Sequence, residues 1–266
     1  MTDGVTAASA LARAGIEPRE ARLLLAAATG FSEATVLAFP ERLLPAEAEA
    51  RFVDSVARRR RGEPVAYILG QQEFYGLPLA VNPAVLIPRP ETELLVDLAL
   101  ARDFRSVADL GTGCGALALA LKHHRRTAQV VAVEASAAAL VVARRNGVAL
   151  GLAVDWRHGR WCAPLGAERF DLIVANPPYV AAGDQHLAAL AFEPPEALVS
   201  GPDGLDAIRE IAAAAPAHLV AGAWLLLEHG MGQDAAVRGL LERAGLEEVR
   251  SWPDLAGIPR VTGGRR

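Results

Sequence analysis

Short runs of apolar, β-forming residues alternate with longer runs rich in Ala and Leu along the chain from Glu91 onward. Alternation of this kind is typical of parallel strands joined by crossover helices, because parallel neighbours need a connection long enough to hold a helix. The sequence therefore predicts an α/β domain with a doubly wound, mostly parallel sheet. The predicted strands are Val107–Leu110, Val130–Val133, Leu172–Ala175 and Trp224–Leu227.

The part of the chain before residue 72 has a different pattern. Apolar side chains recur there at helical spacing, and glycines and prolines divide the run into about four short helices. The last of these begins at Pro45 and ends in Arg58–Arg61, which we interpret as a solvated helix end, with contact to an acidic or RNA-bearing partner as the alternative. Phe74–Val85 then predicts a β-hairpin. The expected domains are a helical domain over residues 1–72, a β-hairpin linker over 73–90 and the α/β domain over 91–266.

Composition and charge limit the classes of protein to which the chain can belong. Its 266 residues carry a net charge of -4, which disfavours a nucleic-acid substrate because domains that bind bare nucleic acid are normally basic. Two cysteines, Cys114 and Cys162, are too few for a disulfide framework and indicate a reducing, cytoplasmic setting. The start of the chain, Met1–Gly4, does not resemble a signal peptide, and no apolar run is long enough to cross a membrane, so no membrane contact is expected.

A glycine-rich loop, Asp109–Gly115, follows the first predicted strand and precedes a predicted helix over Ala116–Leu121. Its glycines allow a sharp turn and a close backbone approach to a ligand, since no Cβ is in the way. Glu134 ends the next strand, where a carboxylate can accept hydrogen bonds from two ribose hydroxyls. The loop also fits a dinucleotide fingerprint with alanine in its third place, or a tight turn that binds nothing.

The carboxylate of Asp109 helps to separate these alternatives. Beside the loop it would attract a cationic group and repel a pyrophosphate. S-adenosylmethionine (SAM) is the ligand most consistent with both acidic residues, with its ammonium near Asp109 and its ribose on Glu134. Cys114 is interpreted as a small apolar spacer and not as a nucleophile, because no histidine neighbours it in sequence. The cofactor residues predicted here are Asp109, Gly111, Thr112, Gly113, Cys114, Gly115 and Glu134.

The tetrapeptide Asn-Pro-Pro-Tyr, residues 176–179, follows the third predicted strand. An exocyclic or amide NH2 is a weak nucleophile because its lone pair is delocalised into a π system. The Asn176 side-chain oxygen and the Pro177 carbonyl can accept both of its N–H bonds and point the nitrogen at an electrophilic methyl group. Pro177 and Pro178 together hold that carbonyl in place, and Tyr179 can pack on the planar amide. These four residues are predicted to be catalytic and to bind the substrate, and Asn176 also to border the cofactor.

These motifs, in this order, are similar to the amino-methyltransferase branch of class I SAM-dependent enzymes. Further segments resemble the HemK/PrmC family, the glutamine-N5 methyltransferases of peptide chain release factors, over nearly the whole chain. The most specific of them, Ile87–Glu93, accompanies the Asn-Pro-Pro-Tyr signature. The others are Gly62–Gly70, Glu73–Leu77, Phe192–Pro194 with Ala197 and Leu198, Leu227–Gly230 and Arg260–Arg265.

The resemblance implies a class I methyltransferase fold, SAM as cofactor, and a glutamine in a Gly-Gly-Gln loop of a release factor as acceptor. It implies that the helical N-terminal domain helps to hold that factor. Trp161 matches a family tryptophan near the adenine, where an aromatic ring can stack. Arg89 and Glu91 are expected near the methionine end of SAM or the acceptor amide. One departure is Arg160, which stands where the family usually has an acidic residue, and Asp155 is the expected substitute.

Two other functions remain open from the residues alone. The Asn-Pro-Pro-Tyr signature also suits a flipped adenine or guanine base, and the glycine loop also suits a module that binds a nucleotide without chemistry. The acidic net charge disfavours the first, and the Asn176–Pro177 acceptor pair disfavours the second. The six histidines show no metal-ligand spacing, so no metal is expected. We expect a monomer whose partner is a release factor. If that factor is methylated on a ribosome, Arg58–Arg61 is the segment that can face it.

Overall fold

The computed structural model describes residues 4–266, and the chain divides between Gln71 and Gln72 into two compact units. The first unit is helical and has its own apolar core. The second unit contains a seven-stranded, mostly parallel sheet with helices between the strands, so the predicted α/β fold is confirmed. The sequence features at Met1–Asp3 lie outside the described residues. Within the described part of the chain, no helix is long and apolar enough to span a membrane.

The first unit contains five α-helices among its described residues, where the sequence predicts about four. They are α1 (Ala7–Arg13), α2 (Pro18–Thr29), α3 (Glu33–Ala38), α4 (Ala46–Arg60) and α5 (Val65–Leu69). The additional helix, α5, is short, and it is bounded by Pro64 and by Gly70, which takes a left-handed conformation with φ 71°. The core between the helices is built from small and branched apolar side chains. Its largest members are Phe52, Leu24, Leu25 and Leu44.

The arginines at the end of α4 are exposed or partly exposed, as a solvated helix end requires, but three of them also have partners within this unit. Arg58 forms an ion pair with Glu63, and Arg59 forms one with Glu20 of α2, with N–O distances of 2.5 and 2.7 Å. Arg60 donates to a backbone carbonyl at the end of α1. Arg59 and Arg60 therefore join α4 to α2 and to the end of α1, and Arg58 joins it to the segment before α5. No local pattern indicates these contacts, because the acidic partner of Arg59 is 39 residues away along the chain.

A two-stranded hairpin opens the second unit, with β1 at Gln71–Phe74 and β2 at Leu77–Ala80. The residues between the strands, Tyr75 and Gly76, both have positive φ, as expected for a tight hairpin turn. A non-helical segment then leads to a single 3₁₀ turn at Pro90–Thr92. The hairpin, the segment and the turn precede the main sheet.

The main sheet has the strand order β5-β4-β3-β6-β7-β9-β8. Its strands are β3 (Ser106–Leu110), β4 (Gln129–Glu134), β5 (Asp155–His158), β6 (Phe170–Ala175), β7 (Leu219–Glu228), β8 (Glu247–Pro253) and β9 (Pro259–Arg265). The helices of this unit are α6 (Glu93–Leu100), α7 (Ala116–His124), α8 (Ala137–Leu150), α9 (Asp206–Ala214) and α10 (Asp234–Arg243). Strands β3 to β7 are parallel to their neighbours, whereas β9 runs antiparallel to both β7 and β8.

The register of the sheet brings the predicted motifs to one edge. In β3, Leu110 pairs with Val133 of β4, and Asp109 pairs with Val174 of β6. The residues that follow these strands therefore emerge side by side. The chain proceeds from β3 to β4 on one side and later to β6 on the other, and such a reversal of strand order opens a crevice in which α/β proteins bind ligands.

Strand β9 lies inside the sheet and approaches β7 closely. A Cβ on Gly263 would lie 2.5 Å from a Leu226 methyl carbon and 2.7 Å from the Leu225 carbonyl oxygen. Only glycine allows this approach without displacement of the β7 backbone. The paired glycines near the end of the sequence are therefore explained by sheet packing.

Candidate active site

A cavity of about 440 Å³ opens at the carboxyl ends of the central strands. This volume lies within the range of small-molecule sites, which is roughly 300–1,000 Å³. All of its lining residues belong to the second unit, between Ala84 and Glu210. The predicted site residues on its wall are Gly111, Thr112, Gly113, Cys114, Glu134, Trp161, Asn176 and Pro178. The predicted site residues that are not among the lining residues are Asp109, Gly115, Pro177, Tyr179, Arg89 and Glu91.

The glycine loop is fastened to the end of β4 by backbone hydrogen bonds. The amides of Gly111 and Thr112 both donate to the Val133 carbonyl, at 2.9 and 3.0 Å. The Gly113 amide donates to Glu134 Oε2 at 2.8 Å, and the Ser136 amide donates to the other carboxylate oxygen at the same distance. Glu134 is therefore held at the cavity edge with one lone pair on each oxygen still available to a ligand.

Asp109 lies behind the glycine loop and not on the cavity wall. Its side chain is completely buried and accepts hydrogen bonds from the Thr112 hydroxyl at 2.5 Å and the Ala118 amide at 3.2 Å. Burial raises the pKa of this carboxyl group to about 7, against the opposing effect of those two hydrogen bonds. The geometry thus shows Asp109 shaping the loop through Thr112, and its direct contact with a bound cation stays a prediction.

Cys114 and its neighbours join the loop to the hairpin. The Cys114 thiol is buried, and burial raises its pKa to about 12, which is opposite to the shift that activates a nucleophilic cysteine. The Cys114 carbonyl accepts a hydrogen bond from Asn146 of α8. Asn146 also exchanges two hydrogen bonds with the backbone of Ala80 in β2. Gly115, with φ 90°, gives the left-handed turn from which α7 begins.

Trp161 packs against the glycine loop from the opposite wall. A Cβ on Gly111 would lie 2.9 Å from the Trp161 ring, so the loop needs glycine here for packing as well as for its φ of 78°. Trp161 itself has a φ of 47°, which is strained for a residue with a large side chain. Strain of this kind is concentrated at functional sites. Because the Trp161 ring lies against Gly111 and lines the cavity, a planar group bound beside the glycine loop would contact it.

Arg160 borders the same part of the cavity and has a carboxylate partner. It forms a two-point ion pair with Glu210 of α9, with nitrogen–oxygen distances of 2.8 and 2.6 Å. Both residues line the cavity beside Trp161. Asp155, the expected substitute for the missing acid, instead pairs with Arg157 and is not a lining residue. The carboxylate at this end of the cavity therefore comes from α9 and not from β5.

Asn176 follows β6 and faces the cavity with a fixed side chain. Its Nδ2 donates to the Thr92 hydroxyl at 3.0 Å, which leaves Oδ1 as the available acceptor. At the other end of the tetrapeptide, the Tyr179 hydroxyl donates to Glu228 Oε1 at 3.2 Å. The Tyr179 carbonyl accepts a hydrogen bond from Gln233, which also accepts one from the Gly230 amide. The tetrapeptide is thus supported at both of its ends.

Glu228 ends β7 in an almost completely buried position. Burial raises the pKa of its carboxyl group to about 7, and the nearby hydroxyls of Tyr179 and Thr92 act in the opposite direction. The same surroundings raise the pKa of the Tyr179 hydroxyl, mainly because it is buried and then because Glu228 is close. The charge of Arg260 lowers the Glu228 pKa, and that of Glu91 raises it.

The two remaining predicted substrate residues do not contact the cavity. The Arg89 guanidinium pairs with the buried Glu193 carboxylate, which also accepts a hydrogen bond from the Ile87 amide at 3.1 Å. Glu91 is exposed, in the 3₁₀ turn that precedes α6. Arg89 therefore joins the segment before α6 to the loop around Glu193.

Sequence reasoning missed three residues of this site. Thr92 lies inside the Ile87–Glu93 segment, but no local signal distinguishes its hydroxyl from that of an ordinary helix-capping residue. Glu228 belongs to the Leu227–Gly230 segment, where the end of a strand predicts contact with the sheet edge or the site wall but not with Tyr179, and Glu210 gives no local signal. Their importance comes from contacts that span 84 residues for Asn176 and Thr92, 49 for Tyr179 and Glu228, and 50 for Arg160 and Glu210.

Two family models match this chain. One is described as the PrmC N-terminal domain and matches residues 5–70. The other is described as the methyltransferase small domain and matches residues 90–201. The first match falls in the helical unit, and the second contains the glycine loop and the Asn-Pro-Pro-Tyr tetrapeptide.

Curated relatives are similar to the chain over almost its whole length. A release factor glutamine methyltransferase of Xylella fastidiosa (strain Temecula1) is 51% identical over 257 residues, covering 94% of each chain. The enzyme of that name from Pseudomonas aeruginosa is 51% identical over 252 residues, covering 92% of this chain and 91% of its own. The one from Burkholderia pseudomallei is 46% identical over 273 residues, covering 98% and 96%.

Solved structures of methyltransferases share the fold. A methyltransferase from Pyrococcus furiosus superimposes with a TM-score of 0.57 at 17% identity, covering 80% of this chain and 98% of that one. A 16S rRNA methyltransferase from T. thermophilus, in complex with AdoMet and guanosine, has a TM-score of 0.55 at 25% identity, covering 74% of this chain and 49% of that one.

Proposed function

The chain belongs to the release factor glutamine methyltransferase family, and we propose that it transfers a methyl group from SAM to a glutamine side chain of a peptide chain release factor. The acceptor in this proposal is the amide nitrogen of the glutamine in a Gly-Gly-Gln loop. The observation that carries it is the placement of Asn176 on the cavity wall, with its Nδ2 occupied by Thr92 and its Oδ1 available.

The residues around the cavity suit SAM. Glu134, fixed by two backbone amides, offers one free lone pair per oxygen to the two ribose hydroxyls. Trp161 offers a ring face to the adenine, and Gly111 and Gly113 let the backbone approach the ligand without a Cβ. When bound, SAM supplies an electrophilic methyl group on a sulfonium sulfur. Asp109 would act on the loop from behind, through Thr112.

The acceptor amide would be oriented by two oxygen atoms of the tetrapeptide. Asn176 Oδ1 and the Pro177 carbonyl accept the two N–H groups of the glutamine side chain and direct the lone pair of its nitrogen toward the methyl carbon. Acceptors placed in advance stabilise the positive charge that develops on nitrogen and avoid the cost of reorganising water. Pro178 borders the cavity and, with Pro177, restricts the backbone around that carbonyl.

The helical unit is proposed to bind the release factor, as part of a domain arrangement with helices over residues 1–72, a linker over 73–90 and the catalytic domain over 91–266. Support comes from the match of its residues to the PrmC N-terminal domain. Arg58, Arg59 and Arg60 are used inside the unit, so Arg61 is the member of that cluster proposed to face a ribosome-bound partner.

The substrate assignment is tested by labelling. The protein is incubated with methyl-labelled SAM and a release factor, and in parallel with the same factor carrying Gln→Ala in its Gly-Gly-Gln loop. Label on the first substrate and none on the second is the expected result. Label on the Ala variant, or on RNA or DNA supplied without a release factor, would show a different acceptor and reject the proposal.

Asn176→Ala is expected to lower turnover by roughly 10²–10³-fold, in line with the loss of one oriented acceptor of developing charge. SAM affinity, measured by calorimetry, is expected to change by no more than about two-fold, because the backbone of the loop and Glu134 are unaffected. Gln129→Ala, at an exposed amide side chain at the start of β4 and so at the opposite end of the strand from the cavity, is the control. Equal turnover in Asn176→Ala and wild type would remove the amide-orienting role.

A further inference from the structure

The side chain of Gln233 joins three loops that meet behind the cavity wall. Its Oε1 accepts a hydrogen bond from the Gly230 amide at 2.8 Å. Its Nε2 donates to the carbonyl of Tyr179 at 3.0 Å and to that of Asp203 at 3.3 Å. A rotated amide would face the Gly230 N–H with a donor and the two carbonyls with an acceptor, and so would lose all three bonds. Backbone groups therefore fix the orientation of the Gln233 amide, because their donor and acceptor roles cannot change.

The backbone approaches this amide so closely that residue 204 has no room for a side chain. A Cβ on Gly204 would lie 2.2 Å from the Tyr179 carbonyl oxygen and 2.8 Å from Gln233 Nε2. A Cβ on Gly230 would lie 3.1 Å from Gln233 Oε1. The junction of the three loops therefore depends on these small residues as well as on the amide that joins them.

Two of the three loops contribute to the cavity wall, although Gln233 is not among the lining residues. Asn176 and Pro178 line the cavity from the tetrapeptide, and Gly201 lines it from the loop before α9, which contains Asp203. Gln233 therefore joins two parts of the wall without contacting the cavity itself.

The Pro177 carbonyl lies between two points at which the tetrapeptide is held. Asn176 comes directly after the last residue of β6, and Gln233 binds the Tyr179 carbonyl on the other side. Because proline restricts φ at Pro178, the direction of the Pro177 carbonyl depends on where its two neighbours are held. A displacement of Tyr179 would therefore turn this carbonyl relative to Asn176 Oδ1, and an error of about 1 Å in such a position can cost on the order of 10²-fold in rate.

We propose that Gln233 is a positioning residue for methyl transfer, which sets the direction of the Pro177 carbonyl by fixing the Tyr179 carbonyl to two neighbouring loops. The inference rests on the proposed function, in which the Pro177 carbonyl accepts one N–H of the acceptor amide. It assigns Gln233 no contact with the substrate or with SAM. Loss of Gln233 is expected to lower kcat with little change in SAM binding, because Glu134 is held by bonds of its own.

The test is Gln233→Glu, which keeps the size of the side chain and its acceptor for the Gly230 amide. An ionised carboxylate has no N–H for the carbonyls of Tyr179 and Asp203 and would face both with negative charge. We expect kcat to fall by roughly 10–100-fold, with the KM for release factor within about three-fold and the SAM dissociation constant within about two-fold of wild type. If Gln233→Glu does not fold, Gln233→Ala supplies the same comparison without the added charge.

Gln129→Glu is the matched control, since it makes the same change of side chain and of net charge. Gln129 is exposed at the start of β4, at the end of the strand away from the cavity. The control is expected to keep the wild-type kcat at a temperature at which circular dichroism shows both variants folded. An equal loss of kcat in Gln129→Glu, full kcat in Gln233→Glu, or a loss that lies entirely in KM would overturn the proposal.

A second readout needs no substrate. Tyr179 is the only one of the three tyrosines that is followed by valine. Protein with ¹³C at the tyrosine carbonyls and ¹⁵N in valine therefore gives a single carbonyl-correlated amide signal, which reports on the Tyr179 carbonyl. In the SAM-free protein this signal is expected to shift in Gln233→Glu and to stay in place in Gln129→Glu.

This readout separates the inference from the proposed function. An unshifted Tyr179 signal in Gln233→Glu contradicts the inference, whether or not a release factor proves to be the acceptor. Failure of the proposed function alone would appear as unlabelled release factor with the wild-type protein, together with a shifted Tyr179 signal in Gln233→Glu.

Discussion

Gly111 shows how one residue can serve the backbone and a neighbouring side chain at once. Its φ of 78° lies in the left-handed region that favours glycine. The space that a Cβ would occupy is filled by the Trp161 ring, at 2.9 Å. Gly113 has a similar φ of 58°, but nothing lies within 4 Å of the place of its Cβ. A comparison of the two positions therefore distinguishes the cost of a left-handed backbone, which both share, from the cost of a steric contact, which only Gly111 has.

Gly111→Ala is expected to lower the free energy of unfolding by about 1–2 kcal/mol more than Gly113→Ala, because only the first forces the Trp161 ring to move. Urea denaturation of the SAM-free protein measures both values. In a Trp161→Ala background the ring is absent, and the two substitutions are expected to cost nearly the same. A difference that persists in that background would mean that the steric explanation is wrong.

At the scale of elements, Glu193 joins two segments that border the site. It accepts a hydrogen bond from the Ile87 amide, before α6, and pairs with Arg89 from the same segment. The Glu193 side chain is 3% exposed, whereas that of Arg89 is 32% exposed. Loss of Arg89 and loss of Glu193 therefore have different consequences, because only the Arg89 guanidinium can be solvated when its partner is missing.

Arg89→Met is expected to destabilise the protein by about 2–3 kcal/mol, because it leaves a buried carboxylate with a backbone amide as its remaining partner. Glu193→Gln is expected to cost about 1 kcal/mol, since the Ile87 hydrogen bond survives and Arg89 can be solvated. Thermal or urea unfolding of both single variants and the double variant measures the asymmetry. Arg209→Met, which breaks exposed ion pairs with Asp203 and Asp206, is the control and is expected to cost less than about 0.5 kcal/mol. Equal costs for Arg89→Met and Glu193→Gln would contradict this account.

Elements that depend on local pattern were predictable, and contacts across the chain were not. The four predicted strands lie within β3, β4, β6 and β7, because buried parallel strands consist of continuous apolar residues. The predicted helix after the glycine loop ends at His124 and not at Leu121, because its polar last turn continues the helix without apolar residues. Strands β5, β8 and β9 are not among the predicted strands, since polar strands such as β5 and β8 and a glycine-containing one such as β9 give weak β signals.

The candidate site was predictable to the extent that its residues follow strands. Asn176 and Glu134 lie at the cavity because the ends of parallel strands meet at one edge. Asp109 is also in β3, but the alternation of side chains along a strand directs it behind the loop, a detail that depends on register. The ion pair of Arg160 with Glu210 depends on how α9 packs, and no pattern in the sequence specifies that.

At the scale of the whole molecule, the location of the cavity predicts which part of the chain binds the cofactor. Every lining residue lies between Ala84 and Glu210, inside the second unit. A fragment over residues 70–266 is therefore expected to bind SAM with a dissociation constant within about three-fold of the full chain, as expected of a domain with its own core. Methylation of a release factor by the fragment is expected to fall by at least about ten-fold, because the unit proposed to bind that factor is absent. Calorimetry and the labelling assay measure the two quantities. A large loss of SAM affinity would show that the helices contribute to the cofactor site.

Because β9 lies between β7 and β8 but is synthesised after both, the nascent chain lacks the strand that joins them until synthesis is nearly complete. Among the described residues, β8 has no sheet neighbour except β9, yet it precedes β9 in sequence. At ribosomal rates, β8 is made on the order of a second before its partner, and until β9 docks, the adjacent edge of β7 is also unpaired. Two unpaired strand edges in a nascent chain can pair with each other or with another chain. The charged residues Glu247, Glu248 and Arg250 of β8 reduce such incorrect pairing until β9 is in place.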